Sequence, residues 1–139
     1  MQCVRCGRRI DANRLPIAKC PECGGILEYT ISVEKIRSTK FTGEFTFWRY
    51  RSLLPEVKNI ASMKEGGTPL YKASRLSEEF RVKDLYLKDE TRNPTNSFRD
   101  RSAALLVSNI LDLKMKAAVC ATNGNMGAAL AAYSARYEI

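Results

Sequence analysis

The clearest periodic pattern of apolar and polar positions begins at residue 98. In "FRDRSAALLVSNILDL" apolar side chains recur at helical spacing, at Phe98, Leu105, Leu106, Ile110 and Leu113. Ser97 is the expected N-cap, with Asp100 three residues on in place of the capping-box glutamate. A second helix is expected over the small-residue run "MGAALAAYSARY". Between the two, "KAAVCAT" is short and apolar and predicts a buried strand around residues 117–121, followed by the loop "TNGN". Upstream, "VKDLYLKDE" alternates and predicts a strand ending near Lys88. "EGGTPLYKASRL" has turn chemistry at Gly66, Gly67 and Pro69, then a short strand. "LEYTISVEKI" also alternates like a strand. Residues 37–65 have no clear period. Their aromatic stretch "FTFWRYRSLLPEV" predicts packing onto the next domain, or else a free aromatic surface.

Strand, helix, strand and helix with short loops predict an α/β domain built on a parallel sheet with right-handed crossovers. The residues after the N-terminal quarter are too few to cover both faces of such a sheet. The expectation is therefore an incomplete parallel-sheet α/β domain over 66–139, joined by a connecting segment, 31–65, to a small module at 1–30. A protein partner or self-association, or further chain, would complete the sheet.

Cysteine spacing defines the small module. Cys3 and Cys6 form one C-x-x-C knuckle and Cys20 and Cys23 another, each followed by glycine. Two such knuckles supply the four sulfurs that Zn²⁺ takes at tetrahedral corners, and glycine lets the backbone curl toward the metal. The thirteen residues between the knuckles are enough for a hairpin. Two disulfides or a redox pair are the alternatives; a redox C-x-x-C needs no twin, and a reducing compartment disfavours disulfides. A structural zinc ribbon is expected, folding on its metal because it is too small to hold a core. Cys120, in the apolar run, reads as a small buried hydrophobe, with a reactive thiol as the alternative.

Composition narrows the chemistry. There is no histidine among the 139 residues, which removes Ser-His-Asp and Cys-His systems and any His-ligated metal. Lys and Arg number 23 against 15 acidic residues, a formal charge of +8. Zinc on four thiolates would bring this nearer to about +6. A basic balance suits an anionic partner, either nucleic acid or small phosphorylated ligands, although a solvated basic surface accounts for it equally. No apolar run is long enough to span a membrane, so no membrane partner is expected. "MQCVRCGRRI" carries no signal-like apolar region, and a cytoplasmic protein is expected.

Taken in order, the two cysteine knuckles, "WRYRSLLP", "EGGTPL", "LKDETRNPTNSFRDRS" and "ATNGNMGAALAAYSAR" resemble archaeal-type threonine synthases along essentially the whole chain. That family belongs to the pyridoxal phosphate (PLP) enzymes of fold type II, the tryptophan-synthase-β-like group. The resemblance implies conversion of O-phosphohomoserine to threonine with loss of phosphate. It also implies that Thr122, Asn123 and Gly124 cup the substrate carboxylate and that Asn125 meets the 3-hydroxyl of the PLP ring. The family motif reads Asn-Pro-Thr-Gly-Ser-Phe-Lys-Asp-Arg, with its lysine forming the imine to PLP. This chain has Arg99 at that lysine and Asn96 at that glycine. A guanidinium cannot serve as the imine amine, so PLP, if bound, is held non-covalently.

Arg99 and Arg101 sit where a helix N-terminus disfavours cations, by about 0.3–1 kcal/mol each. Arg101 is expected to pair with Asp89, Glu90 or Asp100. Arg99 either meets an anion in the cofactor pocket, a phosphate or a carboxylate, or remains in a pocket without chemistry. Lys88 is the candidate substitute amine and a candidate substrate-binding residue. Three readings follow: a threonine-synthase-like protein, truncated or degenerate and inactive alone; a non-catalytic homologue that binds or regulates a complete enzyme; and a basic zinc-ribbon protein binding nucleic acid through Arg5, Arg8, Arg9 and Arg14. The last leaves the ordered enzyme motifs unexplained.

Overall fold

The computed structural model describes residues 1–11 and 19–139. Arg14 and most of the loop between the knuckles lie outside the described residues. The chain divides into two compact units. One comprises residues 1–42 and 50–56, the other 43–49 and 57–139. A 3₁₀ helix, Phe47–Leu53, contributes residues to both.

In the first unit β1 (Gln2–Cys3) pairs antiparallel with β2 (Leu27–Glu28). Each cysteine knuckle closes on itself in the same way. The Gly7 N–H donates to the Cys3 carbonyl at 3.0 Å, and the Gly24 N–H donates to the Cys20 carbonyl at 2.9 Å. Gly7 and Gly24 have φ of 72° and 68°, a region that glycine enters without steric cost. The alternation in "LEYTISVEKI" does not continue as strand. α1 (Val33–Ser38) begins there instead, because the Ser32 hydroxyl caps it by accepting from the Lys35 N–H at 3.2 Å.

The second unit contains β3 (Leu70–Lys72), α2 (Ser74–Glu79), β4 (Tyr86–Lys88), a 3₁₀ turn at Glu90–Arg92, α3 (Arg99–Asp112) and α4 (Asn125–Arg136). The expected parallel sheet is not formed among the described residues. β3 and β4 pair antiparallel, with Tyr71 opposite Leu87, and residues 117–121 join no strand. The physical reason is partnership: α2 is a short turn of helix that returns the chain beside β3, whereas no described strand pairs with 117–121, of which Ala118 and Cys120 pack only against the helix core. Val119 stands 96% exposed, and Cys120 is half-buried rather than buried.

α3 and α4 pack together around Ala103, Ala104, Val107, Ala129, Leu130 and Tyr133, with Ala61 closing the cluster. Small side chains make this face because they let two helices approach closely; each fully buried Val or Leu contributes roughly 1.5–3 kcal/mol. Leu106, Leu113 and Phe98, part of the apolar stripe read from the sequence, are instead exposed. Trp48 joins the cluster, its indole N–H donating to the Ala61 carbonyl at 3.1 Å. No helix of the described residues is long and apolar enough to cross a membrane.

Buried polar groups fix the loops that lead to α3. The Asn93 side chain accepts from the Gly66 N–H at 2.9 Å and donates to the Glu90 carbonyl at 2.9 Å. Glu65, fully buried, accepts from the Tyr133 hydroxyl at 2.7 Å and the Met63 N–H at 2.8 Å. Gly67 runs so close to Phe45 that a Cβ there would lie 1.9 Å from the Phe45 carbonyl oxygen.

Candidate functional site

Among the described residues, the first unit holds a cluster of four cysteines. The sulfurs of Cys3, Cys6, Cys20 and Cys23 all lie within 4.8 Å of one another. Cys3 and Cys23 are 3.5 Å apart, and Cys6 and Cys20 are 3.7 Å apart. A tetrahedral ion about 2.3 Å from each sulfur needs sulfurs roughly 3.8 Å apart, whereas a disulfide needs about 2.05 Å. The four cysteines are free thiols in a geometry that can hold one metal ion. Packing around them is close, since a Cβ on Gly25 would lie 2.9 Å from the Cys3 sulfur. Their acidities diverge. The Cys6 N–H, above all, brings Cys3 down to about 6. The Gly25 N–H alone would lower Cys23, but desolvation and the neighbouring thiols outweigh it and push Cys23 up to about 12. Four thiolates this close need a cation between them.

The second unit holds a cleft of about 610 Å³ lined by Phe98, Arg99, Ala121, Thr122, Asn123, Asn125 and Met126. Two helix starts build it. At α4, Gly124 turns the chain with φ 146°. The Thr122 hydroxyl accepts from the Gly124 and Gly127 N–H groups, both at 3.1 Å. A side chain at 127 could not be accommodated, because its Cβ would meet the Thr122 methyl at 2.6 Å. At α3, the Ser97 hydroxyl accepts from the Arg99 N–H at 3.2 Å. Asp100 does not reach back to Ser97 as a capping-box partner. It is fully buried and accepts from the Thr95 N–H and hydroxyl, both at 3.0 Å. Asn96, just before Ser97, has φ 59°, a left-handed conformation that asparagine tolerates better than most residues.

The structure thus brings Arg99, Thr122, Asn123 and Asn125 to one cleft, with Gly124 shaping the turn beside it. It does not bring Lys88, whose ammonium donates to the Thr68 carbonyl and which is not part of the cleft wall. The Arg99 guanidinium lies 4.7 Å from the Phe98 ring centroid. Arg101 turns the other way. Its Nε and Nη2 donate to the two oxygens of Glu90 at 2.7 and 2.8 Å. Arg101 is the main cause that brings the Glu90 carboxyl down to about 2, and the Thr68 and Asn93 side chains add to it. Thr68 and Asn93, buried partners of Glu90, were not singled out by sequence reading. Their only sequence signal is their position in "EGGTPL" and "TRNPT", two motifs that the fold ties together through Glu90.

Residues 61–139 match the profile of a family described as pyridoxal-phosphate dependent enzyme. The chain belongs to the pyridoxal-phosphate dependent enzyme family. Within it, the chain is similar to threonine synthases. That of Methanosarcina acetivorans is 40% identical over 142 residues, a match that covers 100% of this chain and 35% of that protein. That of Methanocaldococcus jannaschii is 40% identical over 146 residues, covering 97% and 35% respectively. That of Mycobacterium leprae is 43% identical over 92 residues, covering 65% and 25%. The chain therefore spans about a third of the length of the archaeal relatives.

Membership of this family implies PLP, and the cleft answers that in part. A guanidinium, two carboxamides, a hydroxyl and a helix N-terminus suit a phosphate or carboxylate. No lysine lines the cleft, so its donor set does not fit a cofactor tethered as an imine.

Proposed function

We propose that this chain is the part of a threonine-synthase-like, PLP-dependent protein that carries a zinc module and one wall of the ligand site. Similarity to threonine synthases along the whole chain carries this reading, together with the convergence of the "NPTNSFRDR" and "TNGN" motifs on one cleft. In this reading 1–30 form a structural zinc ribbon on Cys3, Cys6, Cys20 and Cys23, 31–65 connect, and 66–139 form part of a fold-type-II cofactor domain, whose parallel sheet needs strands from further chain or from a partner. Thr122, Asn123 and Gly124 orient a carboxylate, Asn125 meets a ring hydroxyl, and Arg99 supplies a fixed cation. Lys88 lies outside the cleft wall, and no imine role is assigned to it. The family reaction converts O-phosphohomoserine to threonine and phosphate. With no amine in its cleft this chain alone binds the phosphorylated amino acid without converting it. Retention of four thiols suits a reducing, cytoplasmic setting.

A second reading is favoured by one observation, the unpaired segment 117–121. The chain would then be a non-catalytic homologue that offers this edge to a complete enzyme as a partner or regulatory subunit. Nucleic-acid binding by the basic ribbon ranks below both, since it leaves the cleft without a purpose.

The test is to titrate O-phosphohomoserine into the full chain with PLP present, following heat of binding and release of phosphate together. Binding without release is expected. Release of phosphate and appearance of threonine would refute inactivity alone. An absence of binding would refute the substrate assignment.

A further inference from the structure

The cleft at Arg99 contains a cation and no amine. An imine needs a neutral primary amine, and the guanidinium stays charged with its nitrogen lone pairs delocalised. Lys88 is engaged with the Thr68 carbonyl, outside the wall. A carbonyl ligand therefore has nothing in the cleft to bond to. Charge gives the opposite picture. No acidic residue lines the cleft, and Arg99 makes no ion pair among the described residues. It stands at the start of α3, where a cation is disfavoured unless an anion meets it. The Arg99 guanidinium carbon lies over the Phe98 ring, 4.7 Å from its centroid. A ring face holds the cation without neutralising it, so the charge is still unmatched by an anion. Asn123, and Asn125 at the start of α4, line the same cleft.

We infer that this cleft is an oxyanion site: it takes a small ligand bearing a phosphate or carboxylate, holds it through the Arg99 fork, and forms no covalent bond to it. The inference deepens the proposed function and rests on it for the choice of a PLP vitamer as probe.

Two vitamers separate charge from covalency. Pyridoxal phosphate carries an aldehyde; pyridoxine phosphate carries a hydroxymethyl group in its place and the same phosphate. Each is titrated calorimetrically into the full chain, as is inorganic phosphate, and the series is repeated with Arg99→Gln and Arg99→Lys. Arg99 is exposed, so both variants are expected to keep the fold, which circular dichroism checks. The native chain binds the two vitamers with affinities within about threefold of each other. Arg99→Gln weakens both by roughly tenfold or more, the loss expected on removing a charged donor fork. Arg99→Lys comes to prefer the aldehyde and, after borohydride, carries the reduced pyridoxyl group on residue 99.

A native chain that prefers the aldehyde more than tenfold and carries the reduced label on a lysine overturns the inference while leaving the cofactor reading standing. So does vitamer binding that Arg99→Gln leaves unchanged. Binding of inorganic phosphate that depends on Arg99, with neither vitamer bound, supports the oxyanion site and removes the cofactor from the proposed function. No binding by any of the three probes overturns the inference.

Discussion

Glu90→Gln keeps the shape of the Glu90 side chain and removes its charge. In the fold both oxygens of Glu90 accept from Arg101, and Thr68 and Asn93 donate to it as well. These partners, Arg101 first, bring the carboxyl from 4.5 to about 2. A carboxylate whose folded value lies below its unfolded one contributes stability above pH 4.5, and that contribution is lost as pH falls through about 2. A fall of this size corresponds to about 3 kcal/mol at neutral pH. The two side chains are 25% and 23% exposed, so solvent screening brings the expected loss to about 2–3 kcal/mol. Urea unfolding followed through Trp48 fluorescence measures it, because that single tryptophan packs on the same unit's core. The gap between native chain and variant is expected to be full at pH 7 and less than half as large at about pH 3. A gap under about 0.5 kcal/mol at pH 7, or one that keeps its size in acid, would refute the account of Glu90 as an ionised, Arg101-bound group.

Three further outcomes are expected. Tyr133→Phe takes a donor from the buried Glu65 carboxylate and should cost about 1–3 kcal/mol in the same urea assay; unchanged stability would show that Ser62 and Met63 satisfy Glu65 unaided. Gly67→Ala should lose clearly more than Gly43→Ala: both have positive φ, worth about 1–2 kcal/mol, but only at 67 does the new methyl strike a backbone oxygen. Equal losses would mean that the close approach to Phe45 relaxes freely. Removing metal with a chelator should expose four thiols to a thiol reagent in addition to Cys120, and zinc should reverse this; a protein with all five thiols reactive as purified would sink the metal assignment.

Local signals in the sequence were read well where they are local in space. Each C-x-x-C knuckle closes through its own glycine, Gly7 on Cys3 and Gly24 on Cys20, and α3 and α4 follow from helical spacing. What failed depended on contacts between distant residues. The buried face of α3 includes Ile110 of the expected stripe but is otherwise Ala103, Ala104 and Val107, with Phe98, Leu106 and Leu113 exposed, because the neighbour is the small-residue face of α4, and only packing reveals which stripe is paired. Residues 117–121 have the composition of a strand, but a strand exists only beside another. The candidate cleft was half legible. Arg99, Asn123 and Asn125 lie in motifs that can be quoted from the chain. The bonds that position the Arg99 turn run from Asn93 to Gly66 and from Thr68 to Glu90, spanning 27 and 22 residues, and no periodicity announces them. Lys88 illustrates the converse: its place at a strand end suggested the cleft, whereas its ammonium is committed to the Thr68 carbonyl.

The unpaired segment around Val119 also governs how the protein behaves in the tube. Its backbone groups form a template on which another copy can lay its own edge. Copies repel through a formal charge of +8, nearer to about +6 with zinc on the four thiolates, and that repulsion reaches about 30 Å at 0.01 M salt but only about 8 Å at 0.15 M. Colloidal stability should therefore run against ionic strength: clear in dilute buffer, turbid as salt approaches physiological levels.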